Sequence, residues 1–254
     1  MVNLRSHTTR LGVLDIGSNT IHMLIVDAAP GARPDPEAST KSTVRLMKYL
    51  KDDGSIKKSG IEAILEAVSQ CMRLAEEYEI TQLLVMATSA LREAPNGNKV
   101  IHKIEELIGQ GVTVLSGTDE ARLTFLAARR WYGWDAGRLL VLDIGGGSTE
   151  WVCFSQGRIR HAASIPLGSL NLYNRCVETL LPSPKEQAKI RKQVKKALDS
   201  APLPDFPCPV ICGVGGTIRG AGKLCNYLYK LPAGNRTHHP EHGGRPPGAL
   251  LRSR

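Results

Sequence analysis

The stretch "VLDIGGGSTE", Val141 to Glu150, decides how the rest of the chain reads. An apolar run from Leu139 to Leu142 ends on a carboxylate, turns through three consecutive glycines and closes on two hydroxyl residues and a second acid. Glycine admits backbone conformations closed to other residues and lets amide N–H groups approach a ligand. Successive N–H groups in a tight turn form a nest for anions. The letters "VLDIG" occur again at Val13–Gly17, followed by "SNT". A third glycine turn, "GVGGT", carries Gly215 and Gly216. Two copies of strand–Asp–x–Gly on matched strands, with that third turn, read as phosphate-holding loops rather than ordinary hairpin turns. Ser18, Asn19, Thr20, Ser148 and Thr149 add neutral donors. Asp15 and Asp143 accept only, and sit where a hard cation such as Mg²⁺ could bridge acid and phosphate oxygens.

Working outward, Leu11–Asp15 and Ile21–Asp27 read as hairpin strands, with a third strand near Thr43–Leu50. Ile61, Ile64, Leu65, Val68, Met72 and Ala75 share one helical face. A strand "QLLVMAT", a helix Lys99–Ile108, a strand Val112–Leu115 and a helix Asp119–Trp131 follow. The pattern then restarts with strands Leu139–Asp143, Glu150–Ser155 and Arg158–Ser164. Next come a short helix in "PLGSLNLYNR", a basic helix Pro184–Leu198, and strand, glycine turn and helix in "CPVICGVGGTIRGAGKL". Three meander strands followed by alternating strand and helix, written twice, indicate an α/β fold of two similar lobes with a cleft between them. The expected divisions are 1–132, 133–230 and a tail at 231–254.

The 254 residues are 42% hydrophobic and carry a net charge of +9, enough for two cores and a bias toward polyanionic partners. No apolar run approaches the roughly 20 residues of a membrane span, and "MVNLRSHTTR" lacks the apolar core of a secretory signal. Six cysteines are too irregularly spaced for the usual zinc pairs and read as structural thiols in a reducing cytoplasm. Asp119 and Glu120 stand at a helix start, where acids are ordinary partners of the helix dipole. Arg92 follows a strand end, where loops carry function.

Taken together, "GVLDIGSNTIHMLIVD", "ATSALREAPN", "LSGTDEARLTF", "LVLDIGGGSTE", "IPLGSLNL" and "GVGGT" resemble the exopolyphosphatase / guanosine-pentaphosphate phosphohydrolase (Ppx/GppA) family. "RRWYGW" is similar to the shorter actinobacterial exopolyphosphatases. The resemblance implies two ribonuclease-H-like lobes of the acetate kinase–sugar kinase–actin superfamily. It implies Glu120 as the catalytic glutamate that orients or deprotonates the attacking water, with Glu150 assisting. Asp143 matches a metal-associated aspartate for Mg²⁺ or Mn²⁺, with Asp15 its partner in the first lobe. Ser18, Asn19, Gly145, Gly146, Gly147 and Ser148 match phosphate-loop positions, and Arg92 a phosphate-contacting arginine. His22 stands where some members have arginine. The implied substrate is inorganic polyphosphate or guanosine pentaphosphate, with no nucleic acid or membrane partner and a homodimer left open.

Polyphosphate is favoured by the basic balance and by "KEQAKIRKQVKKAL". Other readings are guanosine pentaphosphate hydrolysis on the same fold, a sugar- or acetate-type kinase, and a non-catalytic polyphosphate- or nucleotide-binding remnant. "SGTDEARL" and "ATSALRE" argue against the kinase. The segment "PAGNRTHHPEHGGRPPGALLRSR" has no apolar periodicity and is dense in Pro, Gly, His and Arg. Such composition predicts a disordered tail and, as off-frame translation of GC-rich DNA gives such peptide, a reading frame altered near Leu231. The resemblance to the family, whose members continue here with more strands and helices, implies an incomplete second lobe.

Overall fold

Each acid–glycine turn joins an antiparallel hairpin at the centre of its own five-stranded sheet. The computed structural model describes residues 8–29, 35–132, 137–201, 210–229 and 248–252. The chain divides into two compact units, Met1–Leu115 and Ser116–Arg254. Among the described residues no helix is long and apolar enough to cross a membrane.

The first unit contains β1 (Thr9–Ile16), β2 (Ile21–Ala28), β3 (Pro36–Ser42), α1 (Lys58–Glu77), β4 (Gln82–Ala87), α2 (Ser89–Glu93), α3 (Gly97–Ile108) and β5 (Thr113–Val114). The strand order is β3-β2-β1-β4-β5, with β1 antiparallel to β2 and parallel to β4. Ile64, Ala67, Val68, Cys71 and Ala75 repeat at helical spacing and are buried on α1; α3 buries Val100, Ile101 and Ile104. They pack with Leu14, Ile16, Ile21, Met23 and Ile25, the alternate residues of the central hairpin, because side chains alternate along a strand.

The third strand expected near Thr43–Leu50 lies earlier, at Pro36–Ser42. The apolar letters Val44, Leu46, Met47 and Leu50 suggested extended chain. Arg45 instead takes a left-handed conformation, φ 57°, ahead of a 3₁₀ turn over Leu46–Tyr49 that buries Leu46. The edge strand is polar and half-exposed, so hydrophobicity did not mark it. The five-residue α2, within "ATSALRE", was also not anticipated.

The second unit contains α4 (Gly117–Tyr132), β6 (Leu139–Ile144), β7 (Thr149–Ser155), β8 (Arg158–Ile165), α5 (Ser169–Cys176), α6 (Pro184–Asp199), β9 (Val210–Val214), α7 (Gly215–Tyr229) and β10 (Gly248–Arg252). Its order, β10-β9-β6-β7-β8, repeats that of the first sheet. Both mixed sheets have the form expected of two ribonuclease-H-like lobes. One strand differs: β5 runs parallel to β4, whereas β10 runs antiparallel to β9. This strand falls inside the segment expected to lack order; the short apolar run "ALL" pairs with the edge of β9. The rest of that segment, with His238, His239 and His242, lies outside the described residues.

Helix α4 was expected to close the first lobe but belongs to the second unit. Ala121, Phe125 and Ala128 pack with Leu139, Val141, Val152, Phe154, Cys212 and Val214. Phe125 is 1% exposed and its ring centroid lies 5.1 Å from that of Phe154. Replacing it with alanine should lower the unfolding free energy of this unit by about 3–5 kcal/mol, the usual cost of deleting a buried aromatic ring. Urea titration should show the midpoint falling with little change in slope.

Helix α6 opens with a capping box: the Ser183 side chain accepts from the Glu186 amide, and Glu186 accepts from the Ser183 amide. Hydrogen bonds from the Ser183 side chain and from the amides of Glu178 and Ser183 hold the Glu186 carboxyl down at about 2. A carboxyl depressed on folding contributes above its unfolded value and loses that contribution as pH falls toward the folded one. The protection of amides at the start of α6, measured against their intrinsic exchange rates, should therefore fall on acidification from the ordinary carboxylate range toward pH 2. Glu186→Gln should remove that pH dependence.

Candidate active site

The second unit places two carboxylates on one rung of its sheet. Asp143 pairs across the hairpin with Glu150 and on its other side with Val214; Glu150 in turn pairs with Ser164. Directly opposed residues in an antiparallel pair have Cβ atoms about 4.5–5.5 Å apart on the same face. Alternation puts Asp143 on the face of Leu139 and Val141, and Glu150 on that of Val152 and Phe154, the face α4 covers. Glu150 is 3% exposed and accepts a 2.7 Å hydrogen bond from Ser164 Oγ. Asp143 is half-buried; burial pushes its carboxyl above the usual range, opposed by the positive charge of Arg219 in the first turn of α7.

Helix α4 brings Glu120 to this face. Phe125 packs on Phe154, and the Arg129 guanidinium lies 4.5 Å from the centre of the same ring. The later turns of α4 thus sit at the Phe154 end of β7. The first turn of the same helix carries Asp119 and Glu120. The Asp119 amide is capped by Ser116 Oγ at 3.1 Å and the Glu120 amide donates to the Ser116 carbonyl at 2.9 Å, which fixes that turn.

The glycine turn is held from one side only. Gly145 N–H donates to the Ser148 carbonyl at 2.9 Å; the Gly145 carbonyl accepts from Ser169 N–H at 3.0 Å, and the Gly146 carbonyl from Leu170 and Asn171 N–H at 3.1 and 3.0 Å. The start of α5 can come this close because residue 168 is glycine. A Cβ there would lie 2.2 Å from the Gly146 oxygen. Among the described residues no hydrogen bond engages the amides of Gly146 and Gly147, the donors an anion would need. The third glycine turn meets the rung directly. Gly215 has φ +80°, and a Cβ on it would lie 2.4 Å from Asp143 Oδ1. Thr217 Oγ1 lies 3.2 Å from Ser169 Oγ, linking the starts of α5 and α7. Gly216 follows at the exposed edge of the turn.

The first unit builds its turn the same way. Gly17 N–H donates to the Thr20 carbonyl at 3.0 Å, and the Ser18 and Asn19 carbonyls accept from Leu46 and Arg45 N–H at 3.0 and 2.9 Å. Ser18, Asn19 and Thr20 thus correspond to Gly146, Gly147 and Ser148. The rung differs: Asp15 pairs with His22, and Asp15 is exposed. Burial and Lys41 push the His22 imidazole below its ordinary value. Arg92 donates from Nη1 to the Leu115 carbonyl at 2.7 Å and from Nε to Glu93 at 2.9 Å, so it also ties α2 to the chain beyond β5.

Within the second unit, then, Asp143, Glu150, the turn Gly145–Ser148 and Gly215 gather at one end of the sheet, with Glu120 leading α4 along the same face. Asp15, Ser18, Asn19, Thr20 and Arg92 belong to the first unit. Sequence reasoning passed over Ser164, Ser169, Thr217 and Arg219. The last two lie in the quoted "GVGGTIRG", which was read for its glycines alone. Ser164 carried no signal beyond its place on the strand partnering β7.

The sequence model of the Ppx/GppA phosphatase family matches residues 24–226. The chain belongs to that family. It is 45% identical over 160 residues to Exopolyphosphatase 1 of Mycobacterium bovis, covering 63% of this chain and 46% of that protein. Exopolyphosphatase 1 of Mycobacterium leprae is 40% identical over 192 residues, 76% of this chain and 57% of that one. The chain therefore spans about half the length of the curated relatives it matches. The structure of the Aquifex aeolicus PPX-GPPA enzyme superimposes with a TM-score of 0.68 at 26% identity, covering 88% of this chain and 72% of the other. An exopolyphosphatase from Cytophaga hutchinsonii shares the fold, with a TM-score of 0.73 at 24% identity over 87% of this chain and 72% of its own.

Two substitutions test the geometry of this Ppx/GppA turn. Gly168→Ala should cost at least about 1–3 kcal/mol, the range for overpacking, because its contacts are backbone atoms that cannot rotate away. Asp143→Asn should raise the melting midpoint of the ligand-free protein while impairing function, since it removes a charge that burial disfavours. Thermal denaturation reads both; a lowered midpoint for Asp143→Asn would show that the carboxylate stabilises its surroundings.

Proposed function

We propose that this chain hydrolyses the terminal phosphoanhydride bond of inorganic polyphosphate. The observation that carries the reading is the Asp143–Glu150 rung beside a glycine turn in which, among the described residues, no hydrogen bond engages the Gly146 and Gly147 amides, with Glu120 in the first turn of the helix that covers the same face. The names of the mycobacterial relatives support the same substrate.

Phosphoryl transfer to water needs an aligned nucleophile and neutralised charge more than covalent chemistry by the protein. Glu120 takes a proton from the attacking water as its oxygen bonds to the terminal phosphorus. The bridging P–O bond breaks, and its electron pair leaves on the shortened chain. Glu150, held by Ser164, assists in orienting that water. The amides of Gly146 and Gly147 bind the terminal phosphate oxygens, where fixed dipoles favour developing charge. Within the first unit, Ser18, Asn19, Thr20 and Arg92 are donors of the kind a phosphate takes.

Among the described residues no three His, Cys, Asp or Glu side chains gather as a cage for an ion. Asp143 offers the donor set that suits Mg²⁺ or Mn²⁺, one hard carboxylate completed by water and substrate phosphate oxygens, with Asp15 the equivalent carboxylate of the first unit. Such an ion would neutralise charge on the phosphoryl oxygens.

Phosphate release should be measured from polyphosphate of several lengths, with guanosine pentaphosphate and ATP alongside. The expected result is release from polyphosphate without any acceptor. Release from the guanosine compound alone would move the assignment to the other activity in the family name, and transfer only to an added acceptor would make it a kinase. Glu120→Gln keeps size and hydrogen bonding but removes the base. It should lower kcat by roughly 10²–10⁴-fold, the usual worth of general base catalysis, with substrate binding largely kept. Turnover at the wild-type rate would remove Glu120 from the mechanism.

A further inference from the structure

A strongly charged helix face in the second unit plays no part in the chemistry above. Lys185, Lys189, Lys192 and Lys196 of α6 follow one another at intervals of four, three and four residues, so they line one face of the helix. Both acids of α6 are engaged elsewhere. Glu186 serves the capping box, and Asp199 pairs with Lys195 at 3.1 Å. Among the described residues no salt bridge reaches any of the four lysines. Like charges at this spacing destabilise a helix; on α6 the Glu186 carboxylate offsets this in part through Lys189.

The stripe borders a cleft of about 570 Å³ between α5 and α6, lined by Leu167, Asn171, Arg175, Gln193 and Lys196 among others. Lys189 Nζ donates to the Arg175 carbonyl at 3.0 Å, which fastens the stripe to the end of α5. The same cleft walls shape the glycine turn: Asn171 N–H donates to the Gly146 carbonyl, and Thr149 Oγ1 donates to the Leu167 carbonyl. The cationic face therefore belongs to the same unit as the turn and is joined to it through α5. Among the described residues no aromatic ring lines the cleft, so they supply none of the stacking platforms with which proteins hold single-stranded nucleic acid.

We infer that the α5–α6 cleft and its lysine stripe bind the internal phosphates of long linear polyphosphate and set a preference for long chains. This rests on the polyphosphate reading of the neighbouring turn. The test compares wild type with K185Q/K189Q/K192Q/K196Q, which keeps the helix-forming stems, and with the matching arginine variant. Circular dichroism checks folding. For long-chain polyphosphate KM should rise about tenfold or more and the salt dependence of binding should flatten, as expected when several phosphate contacts are lost. The values for tripolyphosphate and kcat should stay within about twofold, and arginine should restore long-chain affinity, since a phosphate chain needs positive charge here rather than lysine itself. An unchanged KM, or an equal rise for tripolyphosphate, would overturn the inference. Should wild type release no phosphate, the catalytic reading fails, and fluorescence anisotropy with labelled long-chain polyphosphate still decides the stripe: loss of binding in the glutamine variant supports it, undiminished binding overturns it. Single-stranded DNA bound as tightly as polyphosphate, and lost in parallel, would make the surface a nucleic-acid site and overturn it too.

Discussion

The second unit is organised around a contact that only glycine permits: Asp143 lying against Gly215. A side chain at 215 would occupy the position of the carboxylate oxygen, so the β9–α7 turn and the end of β6 can share this space only if one of them has no Cβ. That contact fixes how the third glycine turn meets the first. Ser169 and Thr217 then bridge the two helix starts, and Gly168 lets α5 lie on the backbone of Gly146. The Gly145 and Gly146 carbonyls are consumed beneath the turn, which leaves its amides as the donors. Backbone packing, rather than any particular polar side chain, prepares this loop for an anion.

The two units show what the shared plan requires and what it leaves free. Both keep Asp–x–Gly, the closing bond across the turn, and a following segment that occupies two turn carbonyls. The residue opposite the aspartate is free to change: histidine in the first unit, glutamate in the second. So is the cover. Helix α4 lies over the Asp143 face and buries Glu150, whereas Asp15 is exposed on its own sheet. A common anion-binding turn can therefore serve a phosphate in either unit, but the paired acids that could handle a water's proton occur in only one.

Much of this was legible because the signals are local. Apolar runs ending on Asp15 and Asp143, the glycine turns and the 3.6-residue periodicity of α1 each depend on neighbours in sequence, and the central strands and long helices follow from them. The polar edge strand Pro36–Ser42 buries too little to show in a hydrophobic pattern. Arg45, in a left-handed conformation with its N–H on the Asn19 carbonyl and the next N–H, of Leu46, on that of Ser18, turns an apolar stretch away from strand geometry through contacts distant in sequence. The placement of α4 depended on which sheet its Phe125 face would meet, and its amphipathic pattern is the same for either. Ser164 was invisible for a related reason: its relevance comes from register with Glu150, not from its own neighbours.

The price of the arrangement is a pair of carboxyl groups side by side on a covered sheet face. Like charges directly opposed across strands are unfavourable, and burial makes ionisation of Asp143 harder still. Arg219 acts against this by its charge and Ser164 by a hydrogen bond. A ligand that brought positive charge to Asp143 would act in the same direction, and free energy gained by binding the folded form alone appears as stability. Binding there would couple to folding of the second unit for that reason. The group that makes the ligand-free unit less stable is the one through which a cation and a phosphate would hold it together.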